Sequence, residues 1–232
     1  MLAPSRAIKE SVSPSGIYLR KNARRKYDAI LKSACRLFLK HGYTRTSMDA
    51  IAAAAGVSKQ TVYSYFTNKD VLFCQMVEAE CERHNPPESI LGNPALKPED
   101  ALFRIGLGYM DIIIGPRGLA ILRLVMTEAE RHPRIAKLFF DSGPLKMKKM
   151  LGDYLLRQQA LGVFEIDNVE AAAEHFFALI KERFQMRAML KIKPHPTKAE
   201  LTAHVSTVTK IFFKIYGRQP SEYRALKPHA AP

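Results

Sequence analysis

Apolar residues recur at steps of three and four along Tyr27, Ile30, Leu31, Ala34, Leu37 and Phe38, with Lys32, Arg36 and Lys40 between them. That spacing describes a helix with one buried stripe. The pattern opens near Ala23 or Arg24 and stops at His41-Gly42, a glycine where a helix C-cap belongs, so the first helix is predicted to be about 17 residues long. Thr46-Ser47 offers an N-cap for a short second helix, Met48 to Ala55, whose run of small alanines lets a neighbouring helix approach closely. Gly56 supplies a left-handed turn, and Ser58 caps a third helix from Lys59 to about Phe66. After Thr67-Asn68 a fourth helix, with Val71, Leu72, Met76 and Val77 inward, reaches His84, where Asn85-Pro86-Pro87 ends it.

From Asn85 to Pro98 the chain carries Pro86, Pro87, Pro94, Pro98 and Gly92, the composition of a connecting loop, and the domain boundary is placed at this loop or just before it. Beyond it, helices are predicted over 99–114, 116–131, 133–141, 144–161, 167–191 and 197–216. Each break has its own punctuation: Gly115-Pro116, His132-Pro133, Ser142-Gly143-Pro144, Gly162 and Pro194-His195-Pro196. No segment alternates as a strand, so the fold class is all-α.

Charge changes the picture from fold to partner. Lys and Arg number 36 against 22 acids, a formal charge of +14, in a chain whose apolar share of 47% is ordinary for a globular protein. Thirteen bases and four acids lie up to Asp70, which places the anion-binding surface near the N-terminus. Cys35, Cys74 and Cys81 are an odd number without disulfide-framework spacing, and no apolar run approaches the roughly 20 residues that cross a bilayer. Residues 1–23 lack the apolar stretch of a signal peptide, and a cytoplasmic location is expected.

The stretch Thr46–Phe66, TSMDAIAAAAGVSKQTVYSYF, has the spacing of a helix-turn-helix, whose second helix must show polar side chains to base edges while a few apolar residues anchor it. Val57, Val62 and Phe66 can anchor. Lys59 can donate to guanine or phosphate, Gln60 can pair both edges of adenine, and Thr61 offers a hydroxyl and a methyl. Tyr63 and Tyr65 can reach phosphates, Thr46 and Ser47 can hold a backbone phosphate at the start of the second helix, and Lys69 can do similar work further on.

Residues 24–72 resemble the DNA-binding domain of the tetracycline-repressor-like (TetR) family of bacterial transcription regulators. The resemblance rests on Ala34–Tyr43, T-S-M-D-A-I-A, A-G-V-S, T-V-Y-S-Y-F and N-K-D-V-L. It implies that Lys59, Gln60, Thr61, Tyr63, Tyr65 and Lys69 face DNA. Leu122–Phe140 is similar to the AefR-like subgroup. The family likeness further implies a helical effector domain and a homodimer that joins through the last two long helices. Within those helices Phe176, Ile180, Val205, Val208 and Phe212 fall on apolar stripes and are the expected dimerisation residues. Each helix is about 30–37 Å long, enough to cross an interface.

The expected organisation is a flexible basic arm over 1–23 and a helix-turn-helix domain with its connecting helix over 24–84. An effector and dimerisation domain over 85–216 and a flexible tail over 217–232 complete it. Tyr109, Arg123, Met126, His175, Phe177 and Phe184 are the effector-site candidates, for a small apolar or amphipathic molecule. The expected function is a ligand-responsive homodimeric repressor on a palindromic operator. A non-specific architectural DNA binder is the alternative, but it has no use for a large apolar-rich helical domain. No catalytic motif is present: GxSxG, HExxH, CxxC and a glycine-rich phosphate loop are all missing, so no enzyme and no cofactor are expected. Cys74 and Cys81 are about 10 Å apart along a helix, too far for a disulfide, and Cys81 with His84 falls short of a zinc site, so no metal is expected.

Overall fold

A computed structural model of the chain describes residues 14–84, 95–193 and 195–218, and folds them into helices, with no strand among the described residues. Two compact units divide at Leu72/Phe73. That division lies inside the fourth helix, which runs from Lys69 to His84, and ahead of the proline-rich segment at or just before which the boundary was expected.

The first unit holds α1 (Pro14–His41), α2 (Met48–Ala55), α3 (Lys59–Tyr65) and the first turn of α4 (Lys69–His84). Helix α1 starts at Pro14, not near Arg24, so residues 14–23 of the expected arm are helical. Proline is read as a breaker inside a helix but suits the first position, where its missing N–H costs nothing. Residues 1–13 of the arm lie outside the described residues. Ile30, Ala34, Phe38, Ile51 and Val62 are fully buried, the stripes of α1 and α2 having closed on α3.

In the second unit follow α5 (Pro98–Ile114), α6 (Pro116–Ala129), α7 (Pro133–Ser142), α8 (Pro144–Ala160), α9 (Val169–Glu182), α10 (Gln185–Met189) and α11 (Lys198–Tyr216). Four of these helices open on a proline at the first position, so the punctuation that ended one helix also begins the next. Helix α5 runs through the core: a Cβ on Gly106 would lie 2.7 Å from Val205 Cγ1 and 3.1 Å from Ile180 Cδ1, so only a glycine lets α5 pack this closely on α9 and α11. Among the described residues no single helix is long and apolar enough to cross a membrane; α5 and α6 would qualify only as a pair, and they bend by 57°.

Two expectations change here. The predicted helix over 167–191 is broken at Arg183-Phe184. A continuous helix would bond the Leu179 and Ile180 carbonyls to the amides of Arg183 and Phe184; instead His204 of α11 donates its Nε2–H to both, at 3.2 and 3.1 Å. The Phe184 amide turns back to Lys181 O at 3.2 Å, and its ring packs edge-on against His204. A side chain inserted into the helical ladder is a sufficient cause for the break. In the expected tail over 217–232 the first two residues are held: Gly217 bridges to Phe164 and the Arg218 amide donates to Val163 O. Residues 219–232 lie outside the described residues.

Candidate DNA interface and ligand cavity

Ser47 and Ser58 cap α2 and α3, accepting from the amides of Ala50 and Thr61, and Gly56 makes the turn between them at φ 66°. The helix periodicity then sorts the third helix into two faces. Lys59, Gln60, Tyr63 and Ser64, at i, i+1, i+4 and i+5, are exposed together, while Val62 and Phe66 are buried. Phe66 stacks on Tyr27 of α1 with ring centroids 5.3 Å apart. The exposed row is rich in donors and acceptors and free of large aliphatic groups, as a major-groove reader requires.

Other expected contacts are used internally. Tyr65 is half-buried and its hydroxyl donates to Ala23 O, tying α3 to α1. The Thr61 hydroxyl pairs with Ser58 Oγ at 2.9 Å in the cap. Thr46 is buried, with its hydroxyl on Gly42 O at 2.8 Å, so it closes the loop before α2 and cannot meet a phosphate; Ser47 remains exposed at the helix N-terminus. The Lys69 ammonium donates to the carbonyls of Tyr43, Thr44 and Thr46 at 2.9, 3.3 and 3.0 Å and lies over the Tyr43 ring. Beside it the Tyr43 hydroxyl donates to the Asp70 carboxylate. Lys69 therefore holds the α1–α2 loop. Lys69→Ala is expected to lower stability by about 1–3 kcal/mol through the orphaned carbonyls. The salt dependence of DNA binding should stay as steep as before; denaturant melts and titrations at two salt concentrations check both.

Lys59 sits 2.9 and 3.0 Å from the two oxygens of Asp49 on α2, both side chains well exposed, and the carboxylate's hydrogen bond and charge hold the lysine above its ordinary pKa. Any anion that approaches this cation must compete with Asp49 for it. Asp49→Asn is expected to raise affinity for operator and scrambled DNA alike, and to steepen the salt dependence by roughly one phosphate contact. Anisotropy titrations at two salt concentrations read the change.

The second unit encloses a cavity of about 290 Å³. Val77, Ile112, Ile121, Phe139 and Met147 give it apolar walls. Its polar groups are Glu80, Cys81, Tyr109, Lys181 and Gln185. Glu80 is nearly buried and its carboxylate is met by Arg83 at 2.7 Å, Arg117 at 3.3 Å and His84 at 3.5 Å. Burial, with Glu80 adding to it, pushes the Cys81 thiol up to about 11, so the sulfur is a neutral wall atom and not a reactive thiolate. Among the described residues, no three His, Cys, Asp or Glu gather to hold a metal ion.

Of the expected effector residues only Tyr109 lines this cavity. Phe177 stands behind it, ring centroids 4.4 Å apart, in the core. Phe184 is committed to His204; Arg123 donates to the Ala188 and Met189 carbonyls; His175 pairs with the Tyr216 hydroxyl; Met126 faces outward. Sequence reasoning missed Glu80, Lys181 and Gln185. The spacing of Glu80 to Arg83 and His84 was a legible sign of a paired acid, whereas nothing in the sequence marked Lys181 and Gln185, which reach the cavity through the break between α9 and α10.

The expected dimerisation residues also change role. Phe176, Ile180, Val205, Val208 and Phe212 are all buried inside the subunit. The most regular apolar stripe of each long helix faces its own core, and the outward apolar side chains are Leu179 on α9 with Ile211 and Ile215 on α11.

Residues 30–76 match the family model for bacterial regulatory proteins of the tetR family, and residues 100–218 match that for the AefR-like transcriptional repressor C-terminal domain. Over 186 residues the chain is 29% identical to an uncharacterized HTH-type transcriptional regulator of Mycobacterium tuberculosis, covering 77% of this chain and 83% of that one. Among solved structures, the flavonoid-responsive regulator FrrA aligns at a TM-score of 0.67 and 32% identity, over 84% of this chain and 98% of its own. A TetR-family regulator from Mesorhizobium loti aligns at a TM-score of 0.67 and 27% identity, with the same coverage of 84% and 98%.

Proposed function

We propose, from the premise that this chain belongs to the TetR family of bacterial transcription regulators and carries an AefR-like repressor C-terminal domain, a mechanism for how it regulates. The chain is a DNA-binding transcriptional regulator. In our reading it acts as a cytoplasmic homodimeric repressor without catalytic activity, each subunit laying α3 in the major groove of one half of a near-palindromic operator. The exposed row of Lys59, Gln60, Tyr63 and Ser64, set against the anchors Val62 and Phe66, carries this reading. Ser47 would add a phosphate contact that fixes register.

Release would follow from linkage: a small molecule that binds the cavity better in an arrangement incompatible with the operator weakens operator affinity by the same factor. Helix α4 supports this route because it begins in the first unit and supplies Val77, Glu80 and Cys81 to the cavity wall. A small-molecule response is also what the name of FrrA states for that relative. The dimer would form through the outward apolar side chains of α9 and α11.

Selection of bound genomic fragments at two salt concentrations tests the reading. Sharp enrichment of an inverted repeat with half-sites about one helical turn apart is expected. Binding that is flat across sequence at both salts would instead describe an architectural protein. With the operator in hand, Gln60→Ala should relax preference at one base pair per half-site, by about 1–3 kcal/mol, and leave the others unchanged.

A further inference from the structure

The polar groups of the cavity are unequally satisfied, and the inequality bears on what it binds. Glu80, its acid, is already neutralised by Arg83 and Arg117. By contrast the Tyr109 hydroxyl, the Lys181 ammonium and the Gln185 amide make no hydrogen bond or ion pair among the described residues. Tyr109 and Gln185 are half-buried and Lys181 is exposed, so three donors with no internal acceptor among the described residues line the cavity. All three can donate. The Tyr109 ring packs at a tilt against Phe177, and burial pushes its hydroxyl up to about 12, so it stays protonated. Lys181 and Gln185, four residues apart, flank the break that His204 holds open, and Lys181 is exposed at the cavity's mouth.

We propose that the cavity takes a compact aromatic carboxylate of one or two fused rings, its ring against Ile112, Phe139 and Met147 and its oxyanion on Tyr109, Gln185 and Lys181. A cation has no unpaired acid in the lining to meet, and a neutral molecule would leave the lysine with water alone. The volume of about 290 Å³ stands at the small end of ligand sites and favours a compact occupant. The inference rests on the reading of this cavity as the effector site, yet its ligand chemistry is measurable without DNA.

The test compares 1-naphthoate, 1-naphthylmethanol and 1-naphthylmethylamine by calorimetry on the full-length protein. Naphthoate is expected to bind about tenfold or more tightly than the alcohol, and the amine more weakly than either. Lys181→Met should abolish the preference for the acid while keeping affinity for the alcohol, and Tyr109→Phe should weaken the acid about tenfold, with circular dichroism confirming both folds. Equal binding of acid and alcohol, preference for the amine, or an acid preference that survives Lys181→Met would overturn the proposal. Operator release is read separately. Naphthoate that binds through Lys181 without releasing the operator upholds the ligand chemistry and refutes the effector role; release by the alcohol alone does the reverse.

Discussion

Placing glutamate at Leu179 and Ile215 together is expected to split the proposed dimer and to lower operator affinity by about 10²–10⁴-fold. Both side chains are apolar and outward, 39% and 61% exposed, on two helices that pack against each other, so they are available to a second copy. Their replacement puts like charges on a two-fold interface, where every substitution enters twice, once from each subunit. The size of the loss follows from effective concentration: the second half-site is captured intramolecularly only while the subunits are joined. Sedimentation should give a monomer with unchanged helicity, and the variant should still bind an isolated half-site weakly. A variant that stays dimeric would place the interface on another face.

The second large effect concerns a residue that touches no DNA. Phe66 is 1% exposed and stacks on Tyr27, the contact that holds the end of α3 against α1. Phe66→Ala removes an aromatic ring from a small core, and such truncations cost about 3–5 kcal/mol. That is a large part of the 5–15 kcal/mol by which a domain is typically stable. Operator binding should vanish as the first unit melts, and a melt followed by far-ultraviolet dichroism should separate into two transitions. Gln60→Ala, in contrast, should leave the melt untouched.

How legible this was from the sequence depended on where each signal resided. Capping serines, Gly56 and the helix spacing are local, and they located α2 and α3 within a residue. The sides of α3 were harder: Thr61 and Tyr65 carry suitable chemistry for DNA, but their positions turn them toward Ser58 and Ala23. Chemistry was legible and direction was not. The stripe holding Phe176, Ile180, Val205, Val208 and Phe212 was read correctly as apolar, but a stripe does not say whether its partner is the same chain or another. The break after the ninth helix had no local sign at all, since it depends on His204, which lies 24 residues beyond Ile180, whose carbonyl it holds. For the same reason Lys181 and Gln185 could not be foreseen at the cavity.

The pairing of Lys59 with Asp49 bears on how a regulator finds one site in a genome. In the reading of α3 as the DNA-facing helix, a cation already held by a carboxylate gains less from any phosphate, and the carboxylate repels the backbone. Asp49 would therefore loosen the hold on operator and irrelevant sequence alike and shorten each stop along the genome.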